Sequence, residues 1–85
     1  MAAELSPDVT LTATEDGAVL LHERTGRYYQ LNRTGLLILR ALLDGRTTDE
    51  IATDLGRRHP VTAERARSDA RRLHEDLRTA GLVTG

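Results

Sequence analysis

Three sets of side chains in this sequence could do chemistry: the histidines His22, His59 and His74, the adjacent tyrosines Tyr28 and Tyr29, and a series of arginines between Arg65 and Arg78. Histidine suits acid-base work or metal binding, but none of these three has a nucleophile or a second ligand at motif spacing. No Ser-His-acid arrangement, HExxH site, Walker loop or GxGxxG turn is present. Each histidine reads as a solvated or locally hydrogen-bonded group: His22 on the wet face of a strand, His59 beside Pro60 at a helix end, His74 on a charged helix. The chain has no cysteine, which excludes disulfides and thiol chemistry and agrees with a cytoplasmic location. The expectation is a non-catalytic protein with no cofactor and no metal.

The arginines raise nucleic acid as a partner. Arg65, Arg67, Arg71, Arg72 and Arg78 share one predicted helix, but Glu64, Asp69, Glu75 and Asp76 are interleaved with them. The net charge of the chain is −1, so its summed pull on phosphate is weak and the arginines read as a solvated face with local ion pairs. The same balance gives no attraction to an anionic membrane. No apolar run approaches the roughly 18 residues of a membrane span, and no charged-then-apolar leader opens the chain. At 85 residues the sequence fits one domain with one core and room for a single site.

These side chains depend on a short series of elements for their positions. Residues 1–8 contain Pro7 and no apolar periodicity, so they are expected to be a flexible N-terminus ahead of a single domain over 9–83. Residues 9–14, Val-Thr-Leu-Thr-Ala-Thr, alternate as a strand with one wet face. Glu15-Asp16-Gly17 and Arg24-Thr25-Gly26 each read as a three-residue hairpin loop ending in a glycine with φ > 0. That register sets Leu11 opposite Leu21, Ala13 opposite Val19, Leu21 opposite Tyr29 and Val19 opposite Leu31, all on one apolar face. Ala18, Leu20, His22, Tyr28, Gln30 and the threonines take the other. The result is a three-stranded meander whose first and third strands are both edges.

The third strand runs straight into a helix at Asn32, a strong N-cap residue. From Leu36 to Leu43 every position but Arg40 is apolar, which predicts a central helix, ending near Asp44 with Gly45 in the left-handed position. Thr47 and Glu50 have capping-box spacing and open a second helix that buries Ile51, Ala52 and Leu55 and is limited by Gly56 and Pro60. Thr62 caps a third helix with an apolar stripe of Ala63, Ala66, Ala70, Leu73, Leu77 and Ala80; beside it lie Arg67, Arg71, His74 and Arg78. Gly81 ends it, and Leu82 and Val83 fold back on the core. The order β-β-β-α-α-α predicts an α+β, winged-helix-like domain, with a three-stranded antiparallel meander followed by three helices. Its hairpins precede the helices, unlike most DNA-binding winged helices.

An edge strand leaves backbone N–H and C=O groups unpaired at every second residue, so an extended peptide can add as a further strand. Each bond contributes about 0.5–1.5 kcal/mol net. Roughly four or five bonds with one or two apolar anchors reach about micromolar affinity.

The segments Asp16-Gly17-Ala18-Val19-Leu20-Leu21 and Gly26-Arg27-Tyr28-Tyr29-Gln30-Leu31-Asn32 are followed by Thr34-Gly35, Leu43-Asp44-Gly45 and Glu50-Ile51-Ala52. With the closing Leu77-x-x-Ala80-Gly81-Leu82-Val83, the set resembles the PqqD-like family of recognition elements for ribosomally made precursor peptides, over about residues 9–83. The resemblance implies a small domain that binds the leader segment of a precursor against its third strand, in the cleft toward the third helix, and presents it to a modifying enzyme. Carried onto this chain, it implicates Arg27, Tyr28, Tyr29, Gln30 and Leu31. The apolar and basic stripe adds Arg67, Ala70, Arg71, His74 and Leu77 from the helix, with Arg67 and Arg71 meeting acidic leader side chains at the rim. Within the family the chain looks most like the free-standing leader-recognition protein of split lasso-peptide systems, which serves a leader protease. The alternatives are a PqqD-type chaperone that delivers a precursor to a radical SAM enzyme and a winged-helix nucleic-acid-binding protein. Gly56 departs from the family pattern, where an uninterrupted second helix is expected. An unprotected edge also permits an edge-strand homodimer.

Overall fold

Strand and helix meet at Asn32 with no loop between them. The computed structural model describes residues 3–58 and 62–85. Its order is β1 (Glu4–Leu5), β2 (Val9–Thr14), β3 (Gly17–His22), β4 (Tyr28–Asn32), α1 (Arg33–Leu43), α2 (Thr48–Arg58), α3 (Ala63–Thr79) and β5 (Val83–Thr84). Asn32 is at once the last residue of β4 and the N-cap of α1, its side-chain oxygen accepting the Gly35 N–H at 2.7 Å. The antiparallel sheet has the order β2-β3-β4, and the α+β arrangement of meander then helices is the one expected.

The sheet differs from expectation by one register step. Leu11 lies opposite Leu20, Ala13 opposite Ala18, Leu20 opposite Tyr29 and Ala18 opposite Leu31. The first hairpin turns on Glu15 and Asp16 alone. The second spans residues 23–26, with the His22 N–H donating to the Arg27 carbonyl at 2.8 Å. Because strand side chains alternate, one step exchanges the faces of β3. Ala18 and Leu20 are buried while Leu21 is exposed, the reverse of the expected placement; β2 and β4 keep theirs.

Gly17 is the physical reason. It is not a left-handed loop residue, as Gly26 is with φ 76°, but a strand residue paired with Asn32. A Cβ there would overlap the Leu31 carbonyl oxygen and lie 2.8 Å from the Asn32 carbonyl carbon. Glycine lets β4 come close over the start of β3 as it enters α1.

The helix ends follow their sequence signals. Gly45 (φ 86°) and Gly81 (φ 75°) each close a Schellman motif: the Gly81 N–H donates to Arg78 at 3.0 Å and the Leu82 N–H to Leu77 at 2.9 Å. Thr62 caps α3 by accepting the Arg65 N–H at 3.1 Å. At α2 the capping box is complete, with the Thr47 N–H donating to Glu50 Oε1 at 3.0 Å and the Glu50 N–H to Thr47 Oγ1 at 3.1 Å. Gly56 does not interrupt α2, which continues through it to Arg58. His59 and Pro60 lie outside the described residues. No helix among the described residues is long and apolar enough to cross a membrane.

Two apolar clusters share the interior. Ile38 and Leu42 of α1, Ile51, Ala52 and Leu55 of α2, and Ala66 and Ala70 of α3 form one. Val9, Leu20, Leu31, Leu39, Leu77, Leu82 and Val83 form the other, and Leu73 packs against both. The segment before Val9, expected to be flexible, is instead tied down from Ala3 onward. Ala3 is buried in the first cluster, β1 pairs with β5, and Ser6 Oγ donates to the Gly81 carbonyl at 2.8 Å.

Gly17→Ala therefore lowers stability by about 1–3 kcal/mol, the scale of forced overpacking, read from urea unfolding followed by circular dichroism. The Thr47 N–H and hydroxyl hold the Glu50 carboxyl below its ordinary range. A folded pKa below the unfolded one adds stability that is present above the unfolded pKa and lost as pH falls through the folded value. Glu50→Gln retains the cap without the titration, so its stability falls less between neutral pH and pH about 3 than that of the parent.

Candidate functional site

β4 has a neighbour on one side only. Among the described residues nothing pairs with its outer edge, and the five residues Tyr-Tyr-Gln-Leu-Asn carry no charge and no proline to blunt it. The His22–Arg27 bond fixes which backbone groups face outward. Residues of an antiparallel pair alternate between bonded and non-bonded positions, so Arg27, Tyr29 and Leu31 turn their amides toward β3. Tyr28 and Gln30 turn both N–H and C=O to the open side. A strand added there gains four backbone bonds, and the outward N–H of Asn32 offers a fifth.

The same alternation sorts the side chains. Tyr29 and Leu31 point to the core face, Leu31 buried at 7% exposure and Tyr29 half-buried against the sheet-side cluster. Tyr28, 67% exposed, stands on the outer face beside Leu21. Of the helix residues singled out from the sequence, Leu77 joins Tyr29 and Leu31 in one cluster, though it is fully buried. Ala70 is buried in the other cluster, facing α2. The Arg67 Nε donates to Asp49 of α2 at 2.6 Å, and His74 Nε2 donates to the Gly85 carbonyl at 2.7 Å. Arg71 is exposed on the outward side of α3, in a shallow hollow of about 470 Å³ lined by α3 side chains alone. The structure thus brings β4 together with Leu77 and not with Arg67, Ala70 or Arg71.

Two features escaped the reading from sequence. Leu73 is the half-buried α3 residue that packs against the cluster holding Tyr29 and Leu31; it lies in the predicted stripe, and its length relative to Ala66 and Ala70 is the signal that marks it. Arg33, exposed, brackets the neutral strand from the end opposite Arg27, which the sequence had already implicated. α3 packs chiefly on α2 and is not tightly packed against β4; Leu73 and Leu77 join it to Tyr29 and Leu31 through one apolar cluster. Among the described residues no three His, Cys, Asp or Glu side chains are placed to hold a metal ion.

The family model for coenzyme PQQ synthesis protein D matches residues 17–83. The chain belongs to the PqqD family. Two solved structures share its fold over nearly the whole length. One, a lasso peptide synthetase B1 complexed with the leader peptide, is 33% identical with a TM-score of 0.92, covering 100% of both chains. The other, TbiB1 in complex with the TbiA(beta) leader peptide, is 28% identical with a TM-score of 0.83, covering 96% of this chain and 95% of that one. No curated protein matches the chain. The matched PqqD region begins at Gly17, the glycine that admits β4, and so includes the whole β4 edge.

Proline separates the outward amides from the inward ones. Gln30→Pro removes only an outward N–H and leaves the thermal midpoint within a few degrees of the parent. Tyr29→Pro removes a ladder donor and unfolds the sheet, as followed by circular dichroism.

Proposed function

We propose that this protein is a non-catalytic adaptor that captures the leader segment of a ribosomally made precursor peptide by strand addition to β4. The observation that carries this reading is the uncovered outer edge of β4, in a fold whose two matched structures hold leader peptides. Tyr28 and Gln30 supply the backbone bonds. Leader side chains opposite Tyr29 and Leu31 enter the cleft toward Leu73, and those opposite Tyr28 and Gln30 lie on the outer face. Arg27 and Arg33 attract acidic residues at the two ends of the docked strand, acting on on-rate and partner choice more than on affinity. Arg71 adds a more distant positive charge.

The enzyme served is a leader protease of the lasso-peptide type, a choice supported by the full-length likeness to a lasso peptide synthetase B1. Nucleic-acid binding is disfavoured by α3 itself, where Arg67 is paired with Asp49 and Arg78 with Glu75 at 3.6 Å. Capture through backbone bonds and apolar contacts survives moderate salt, whereas phosphate binding falls steeply. A fluorescein-labelled leader peptide of a lasso-peptide precursor therefore raises polarisation with little change as salt increases, while a random DNA duplex does not compete. Gln30→Pro, folded but with an outward donor lost and a ring in the way, weakens leader binding by about tenfold or more. Full binding by that variant would sink the strand-addition mode.

A further inference from the structure

The sheet has a second open edge. β2 touches only β3 to any extent, and among the described residues nothing pairs with its outer side. The Glu23 N–H donates to the Asp8 carbonyl at 2.8 Å, which makes 8–23 a bonded pair and, by alternation, turns Leu11 and Ala13 outward with both N–H and C=O; Val9 offers its carbonyl alone, because its N–H donates to the Ser6 carbonyl at 3.0 Å. Like β4, this strand carries no charge and no proline. Its flanks differ in sign. Asp8 precedes β2 and Glu15 and Asp16 follow it, whereas Arg27 and Arg33 bracket β4. Neither Glu15 nor Asp16 has an ion-pair partner among the described residues, and Asp8 is held only by a loose 3.6 Å contact to exposed Arg24.

We propose that the leader-free protein self-associates head to tail, the β2 edge of one copy adding to the β4 edge of the next. Antiparallel pairing joins the outward groups when Tyr28 faces Ala13 of the second copy, Gln30 faces its Leu11 and the Asn32 N–H meets its Val9 carbonyl. In that register Arg33 meets Asp8 of the second copy, and Arg27 lies diagonally across from its Asp16. The outward groups belong to outer-face residues in β4 and core-face residues in β2. Successive copies are therefore inverted, which places their helical layers on opposite sides. The two symmetric alternatives are electrostatically worse. Pairing β4 with β4 gathers Arg24, Arg27 and Arg33 of both copies, and pairing β2 with β2 gathers Asp8, Glu15 and Asp16 of both. A heterologous contact of this kind does not close at a dimer. Where β4 is also the leader site, which rests on the function proposed above, leader and second copy compete for one edge.

Sedimentation velocity of the full chain at low salt tests this without any peptide. The weight-average mass is expected to rise with protein concentration past twice 9.4 kDa without a plateau, and to fall back as salt is added. Ala13→Pro in β2, Asp16→Arg just beyond it, and Arg27→Asp beside β4 each return the protein to monomer. An equimolar mixture of Asp16→Arg and Arg27→Asp regains the growth, because the two intact edges pair with each other and the two reversed charges again meet as opposites. A mass that stays monomeric at every concentration, or that stops at a dimer, overturns the proposal. Labelled leader then separates the two readings. Leader that binds the parent and drives it to monomer supports a shared edge, and leader that binds while assembly persists overturns it. Failure of leader to bind monomeric Ala13→Pro would count against the adaptor function and leave the assembly standing.

Discussion

The register between β3 and β4 is the constraint on which the site depends, and two residues hold it. Asn32 must end a strand and cap a helix in the same conformation, so β4 has no slack at its C-terminal end. Gly17, directly opposite, must have no side chain, because β4 passes where a Cβ would sit. Move β4 by one residue along β3 and Gln30 would share the core face with Leu20, while Tyr29 and Leu31 would turn their amides to the open side. Backbone donors and apolar walls are thus set by one choice of register. The edge cannot be altered for one property without changing the other.

α3 divides its stripe between two jobs. Its N-terminal half uses Ala66 and Ala70, whose small size lets α2 approach closely, and its C-terminal half uses Leu73 and Leu77, which reach toward the sheet. A helix drawn to α2 by alanines cannot also lie tight on β4. Its longer side chains join it to the sheet-side cluster, while the β4 edge stays unpaired among the described residues. The tie of β1 to β5 and the His74 contact with Gly85 hold the end of the chain to the same helix.

Much of this was legible in the residues. Element order, the Asn32, Thr47 and Thr62 caps and the left-handed roles of Gly45 and Gly81 follow from local rules, because each requires only neighbours within a turn. The faces of β2 and β4 were also legible, since alternation within a strand is local. The face of β3 was not: Ala18-Val19-Leu20-Leu21 is apolar at every position, so pattern alone leaves two registers, and Gly17 looks the same in sequence whether it serves a left-handed turn or a close approach. The surroundings of the α3 residues were hidden for a related reason. Helical spacing shows which residues share a stripe, but not which neighbouring element each part of that stripe meets, so Ala70 and Arg67 proved to face α2. The placement of residues 3–8 depends on a partner strand nearly the whole chain away, which no local rule can see.

Charge is absent from both edge strands and concentrated just beyond their ends, and that division has a physical logic. A charged side chain within an edge strand would blunt the edge against every partner alike, since it must sit beside the incoming backbone. Charges at the flanks leave the backbone template intact and act only on what extends past it. Selection then falls on sign and spacing: Arg27 and Arg33 stand one residue outside either end of a five-residue ladder, so an acidic residue placed about six positions from another meets both cations, while a basic peptide meets repulsion at each end. In the strand addition proposed for this edge, backbone bonding would supply an affinity almost indifferent to sequence, and the brackets the discrimination. An adaptor that must hold one segment among many extended chains needs these two contributions to be separable, and in this sheet they reside on different residues.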